Sequence, residues 1–146
     1  MTKKRPNLQK PQNVILAIRL LGGSLALGVF NTAFNWKNKT SHIPSDFPIN
    51  KDLFALFASL STFAIMLWII LKISSGRNWA RILFLCGFII GLPFCIPMLR
   101  EMINLSTVVV FIASAIALLQ LAALGLLFSK TGNTWFKTQK ELQKKQ

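Results

Sequence analysis

The chain has 146 residues, 53% hydrophobic and 14% charged, with a mean hydropathy of +0.51, whereas a soluble domain carries about a quarter charged residues. That balance excludes a water-soluble globular domain, and the gathering of apolar residues into four blocks excludes alternating strands. The 17 Lys+Arg against 4 Asp+Glu give a formal charge of +13, but the cations flank the apolar blocks, so they argue for membrane orientation rather than nucleic-acid binding.

The expected fold is an all-α integral membrane protein of four transmembrane helices. Residues 1–13 form a basic tail. Val14 to Phe34 is the first span, with Arg19 its only charge, and at 1.5 Å per residue it reaches about 30 Å, the thickness of a bilayer core. Leu53 to Ile73 is the second, with Lys72 close enough to its end to snorkel to the headgroups. Ile82 to Leu99 and Leu105 to Phe128 are the third and fourth, both uncharged. Residues 129–146 form a second basic tail, of which Lys137 to Gln146 is too poor in apolar residues for a core and is expected as a frayed helix or a disordered segment on the anionic inner leaflet.

The charges set the orientation. Lys3, Lys4, Arg5 and Lys10 precede span one; Lys72, Arg77 and Arg81 lie between spans two and three; Lys130, Lys137, Lys140, Lys144 and Lys145 follow span four. The positive-inside rule makes all of these cytoplasmic, which gives an antiparallel bundle with both termini inside. The loop Asn35 to Asp52 and the link holding Arg100 and Glu101 then face outward. Trp36, Trp68 and Trp79 fall near span ends and Trp135-Phe136 just beyond the last span, where aromatic rings settle at headgroup level. The first span resembles a signal peptide, but its length and the lack of a small-x-small cleavage site mark an uncleaved helix.

Helices associate in lipid through close contact at small residues. Gly22 with Ala26 and Ser24 with Gly28 supply such pairs in span one, Ala55 with Ser59 and Ala58 with Thr62 in span two, Gly87 with Gly91 in span three, and Ala113 with Ala117 in span four. Packing within the bundle is the expected use, an oligomer interface the alternative. Pro93 and Pro97 are expected to kink span three towards its outer end.

The residues of catalysis are scarce. Cys86 and Cys95 lie nine residues apart on opposite faces of one helix and cannot pair there. His42 is the only histidine and sits in the outer loop, so a bis-histidine haem and intramembrane histidine catalysis are excluded. Asp46, Asp52, Glu101 and Glu141 all fall outside the spans, which argues against a proton-driven carrier. No base stands beside the Ser and Thr residues in any motif. The expectation is therefore no enzyme, no cofactor and no metal.

Two polar residues within the spans are candidate sites. Arg19 is shallow enough to snorkel to the cytoplasmic headgroups; alternatively it pairs with lipid phosphate, a helix carbonyl or an acidic partner protein. Gln120, near the middle of span four, is expected to donate an interhelical hydrogen bond. In the loop SSGRNWAR, Gly76 turns the chain, Asn78 caps the third helix, Trp79 sits at the interface, and Arg77 and Arg81 offer charge to phosphates.

GRNWARILF, with LLFSKTGNTWF at Leu126 to Phe136 and VILAIRLLGGSLALGVFN at Val14 to Asn31, resembles the small four-span bacterial inner-membrane proteins with a G-x-N-W-A-R loop and a terminal LLF…WF. The resemblance runs through nearly the whole chain and implies four helices with cytoplasmic ends. It brings no catalytic residue. The function expected from these features is that of a non-enzymatic inner-membrane protein that binds a membrane protein partner, either as an accessory subunit or as an immunity-type protector. A small oligomeric channel or carrier and a holin-like lesion former are the alternatives. The partners expected are membrane lipids and a membrane protein or a second copy of the chain, with no nucleic acid.

Overall fold

A computed structural model describes residues 9–37, 50–105 and 107–144, with side chains described except over 94–105 and at 144. Expectations about Lys3, Lys4 and Arg5, about His42, Asp46 and most of the outer loop, and about Lys145 lie outside these residues, as do those about the side chains of Cys95, Pro97, Arg100 and Glu101. The described residues form five helices and no strand: α1 (Gln12–Phe34), α2 (Lys51–Ser74), α3 (Asn78–Leu105), α4 (Thr107–Leu127) and α5 (Lys130–Lys144). Helices α1, α2 and α4 are long and apolar enough to cross a membrane, and α3 contributes the shorter apolar stretch Asn78–Pro93.

Helix α3 is longer than its apolar run. It continues through Pro93 and Pro97 and through the link expected at Arg100 and Glu101, ending one residue before α4 begins. At 28 residues it is about 42 Å long, more than a bilayer core requires.

Local sequence explains where the second helix begins and ends. The Asn50 side chain caps α2, its Oδ1 accepting from the backbone N–H of Asp52 and Leu53 at 3.0 and 3.3 Å. The other end closes in a Schellman turn: the N–H of Gly76 donates to Ile73 O at 2.9 Å and that of Arg77 to Lys72 O at 3.1 Å. Gly76 takes φ +75°, which glycine adopts without the cost a side chain imposes.

The four long helices form a closed ring. α1 packs along α4 most extensively and also against α2, while α3 lies against α2 and α4. Neighbours are antiparallel, because the core joins the start of α1 (Val14, Ala17, Leu21), the end of α2 (Ile69, Ile70, Ile73), the start of α3 (Ala80, Phe84) and the end of α4 (Ala123, Leu124, Leu127). That arrangement gathers Lys10, Lys72, Arg77 and Lys130 at one end, the basic end. Across the ring's seams there, Lys10 Nζ donates to Ser74 Oγ at 2.9 Å and Asn13 Nδ2 to Ser129 Oγ at 3.4 Å. Towards the far end the buried residues among those described are Ala55, Ser59 and Val109, with Gly28 of α1 against the Phe63 ring of α2.

For residues 137–144, where the sequence leaves a frayed helix or a disordered segment open, the structure has the second half of α5, Lys130–Lys144. Trp135 and Phe136 of this helix complete the core, 6% and 0% exposed. The helix is amphipathic, and its buried aromatic pair does what a run of apolar residues does in the longer helices.

Candidate functional site at the basic end

The junction of α3 with α5 is built around Arg81. Ser129 starts α5: its Oγ accepts from the Gly132 N–H at 3.3 Å and donates to Leu126 O at 2.7 Å, while the Asn133 N–H donates to Ser129 O at 2.8 Å. This tight entry into α5 leaves no room beside Gly132, where a Cβ would stand 2.7 Å from the Leu127 carbonyl oxygen. It also directs Asn133 inward. Asn133 Nδ2 donates to Phe128 O at 2.9 Å, and its Oδ1 accepts from Arg81 Nη1 at 2.7 Å.

Arg81 is 7% exposed. Nη1 also donates to Leu127 O at 3.2 Å, and the guanidinium carbon lies 4.9 Å from the Phe128 ring centre and 4.6 Å from that of Phe136. Carbonyl dipoles and ring faces thus take the place of a counter-ion. Three buried polar atoms in the same region, Arg81 Nε, Asn78 Oδ1 and Trp135 Nε1, have no hydrogen-bond partner among the described residues. Asn78 is therefore no side-chain cap for α3, contrary to expectation; the Arg77 carbonyl accepts from the Ala80 N–H at 3.2 Å instead.

The sequence pairs Arg77 with Arg81 as charges for phosphate. The structure separates them: Arg77 is exposed, and Arg81 is spent inside the protein. The aromatic residues divide in the same way. Trp135 packs edge-on against Phe136 in the core at 4.8 Å, so it is no headgroup anchor, whereas Trp68 and Trp79 lie exposed on the outside with ring centres 5.2 Å apart. Lys72 Nζ sits 5.7 Å from the Trp68 ring centre. The Trp68, Lys72 and Trp79 grouping was hidden in the sequence, though the spacing of Trp68 and Lys72 by four on a helix was its signal.

Of the other candidates, Arg19 is exposed on α1, and Gln120 is half-buried on α4 without a hydrogen bond to a described residue. The small-residue pairs split between two faces. Ser24 is buried and Gly28 meets the Phe63 ring of α2 at 3.6 Å, so this pair is used within the bundle, and Ala55 and Ser59 of α2 are buried as well. Gly22, Ala26 and Gly87 face outward, and a Cβ added at Gly22, Gly87 or Gly91 would meet nothing within 4 Å. Their expected use within the bundle is not what the structure shows. Among the described residues no group of three metal-ligating side chains comes together.

The arrangement defines an all-helical protein with membrane-spanning helices, closed at its basic end by an amphipathic helix. No protein-family model matches the chain, and it has no significant match among curated proteins or solved structures.

Proposed function

We propose that the chain is a non-enzymatic integral inner-membrane protein of four spans, with both ends cytoplasmic, that works by binding another membrane protein within the bilayer. An accessory subunit or an immunity-type protector fits this role. The observation that carries the reading is the outward face of α1, where Arg19, Gly22, Gly23 and Ala26 are all exposed and a Cβ added at either glycine meets nothing within 4 Å. Since helices in lipid associate by close backbone approach, a face of small residues unused within the chain suits a helix from outside it. Arg19 adds a cation to that face, suited to a carboxylate on the incoming helix. Gly87 and Gly91 offer a second such face on α3.

The gathering of cations at one end supports the orientation. The fourth span is tested through Cys86, which is exposed on α3. In a Cys95→Ala background, a spanning α3 leaves Cys86 unreactive to a charged maleimide in intact membranes and reactive after solubilisation.

Crosslinking from native membranes, with the chain tagged at its C-terminal end, tests the binding itself. A single stoichiometric partner, lost in Gly22→Ile or Gly87→Ile, is the expected result. Recovery of self-crosslinked chains alone would overturn it in favour of an oligomeric channel or lesion former.

A further inference from the structure

We propose that the α2–α3 hairpin carries a binding site for an anionic phospholipid, with Lys72 and Arg77 holding the phosphate and the Trp68–Trp79 pair flanking the glycerol and upper acyl region. Four observations converge there. The two indoles come from different helices, yet the Schellman turn at Gly76 brings their ring centres to 5.2 Å at an interplanar angle of 50°, with 47% and 40% of their surfaces exposed. Lys72 lies over the Trp68 ring, and that ring is its only side-chain partner among the described residues. The turn also fixes Arg77 beside Lys72, through the hydrogen bond from the Arg77 N–H to Lys72 O, and leaves the arginine side chain exposed. Leu71, Ile82 and Leu83 lie exposed within one helical turn of the indoles, an apolar continuation on the same outward face.

Charge complementarity selects the occupant. Of the acids whose side chains are described, Asp52 is at the opposite end of α2 and Glu141 is on α5, and neither pairs with Lys72 or Arg77. Two cations without carboxylates, above paired indoles and an apolar flank, match a ligand with a phosphate head and hydrocarbon tails. A free phosphate would use only the cations and leave the tryptophans without a role. Because Arg81 is turned into the core, the site draws its charge from Lys72 rather than from the second arginine of the loop.

The test is titration of the purified full chain, in a mild detergent, with dioleoyl phosphatidylglycerol or dioleoyl phosphatidylcholine, read by native mass spectrometry. The phosphatidylglycerol should bind more tightly, and Lys72→Gln or Arg77→Gln should each weaken it about fivefold, with phosphatidylcholine unaffected. Trp68→Leu with Trp79→Leu should weaken both lipids. Lys137→Gln with Lys140→Gln, which removes exposed charge from α5, should change neither. Equal binding of the two lipids, or an equal loss in the α5 variant, would show diffuse attraction and overturn the site. Displacement of phosphatidylglycerol by millimolar inorganic phosphate would overturn the lipid assignment in favour of a soluble anion. Unchanged melting temperatures of the Lys72 and Arg77 variants separate these results from misfolding.

Discussion

Arg81 Nη1 donates to Asn133 Oδ1 at 2.7 Å, tying the first turn of α3 to the first turn of α5 across 52 residues of chain. This contact shows why the loop arginines have different fates. Arg77 follows the turn and stays outside, while Arg81, one helical turn later, faces a carbonyl, an amide oxygen and two phenyl rings.

Removing the acceptor leaves a buried cation under-satisfied. Asn133→Leu should therefore cost about 2 kcal/mol, the worth of a hydrogen bond to a charged group, and Arg81→Lys should cost part of that because an ammonium lacks the planar fork. Thermal unfolding of the purified chain in detergent measures both. An unchanged midpoint in Asn133→Leu would mean that the bond contributes nothing to stability.

Two glycines predict opposite outcomes under the same substitution. Gly132→Ala places a Cβ 2.7 Å from a backbone oxygen that cannot rotate away, so a loss of about 1–3 kcal/mol is expected. Gly125→Ala, in the interior of α4 with nothing within 4 Å of the new methyl, should leave the unfolding midpoint unchanged or raise it.

Gly76→Ala should lower stability by about 1–2 kcal/mol through its left-handed φ alone. The new methyl would also meet Gln139 Cγ at 3.0 Å and Trp135 Cη2 at 3.1 Å, both on α5. Combining it with Gln139→Ala removes the Cγ contact alone and should leave the backbone cost, with the contact to Trp135, in place. Full recovery in the double variant would assign the loss to crowding.

Phe136 is fully buried against Arg81 and Trp135, so Phe136→Ala should cost about 3–5 kcal/mol. The loss falls on the docking of α5. Trypsin should therefore cut after Lys137 and Lys140 faster than in the parent chain, while the long helices resist; equal cutting rates would show that α5 holds without this ring.

The long helices were legible because each writes its own apolar run: the expected span 14–34 became Gln12–Phe34 and 53–73 became Lys51–Ser74. Composition failed to place α5 against the core, since Lys130–Lys144 contains few apolar residues and its docking depends on two aromatic side chains finding a core made by other segments. It failed again at Arg81, where a cation next to an apolar run looks the same in sequence whether its acceptor is a lipid or an asparagine 52 residues away. The small-residue spacings were visible, but spacing does not say which face a helix turns inward. Ser24 is buried and Gly28 meets Phe63 of α2, whereas Gly22 and Ala26 are exposed, because the core stripe of α1 runs through Val14, Ala17, Leu21 and Ser24.

The distance along the chain between Arg81 and its acceptors also sets an order of events during synthesis. When α3 emerges, Leu127, Phe128, Asn133 and Phe136 have yet to be made. The guanidinium must meanwhile be held by water or lipid headgroups, which, for α3 as the proposed third span, would keep its start at the membrane surface and resist its slipping deeper. Only when α5 folds back does the protein replace that solvent with its own carbonyl and rings, so a helix made after α3 would fix the depth at which the proposed span rests.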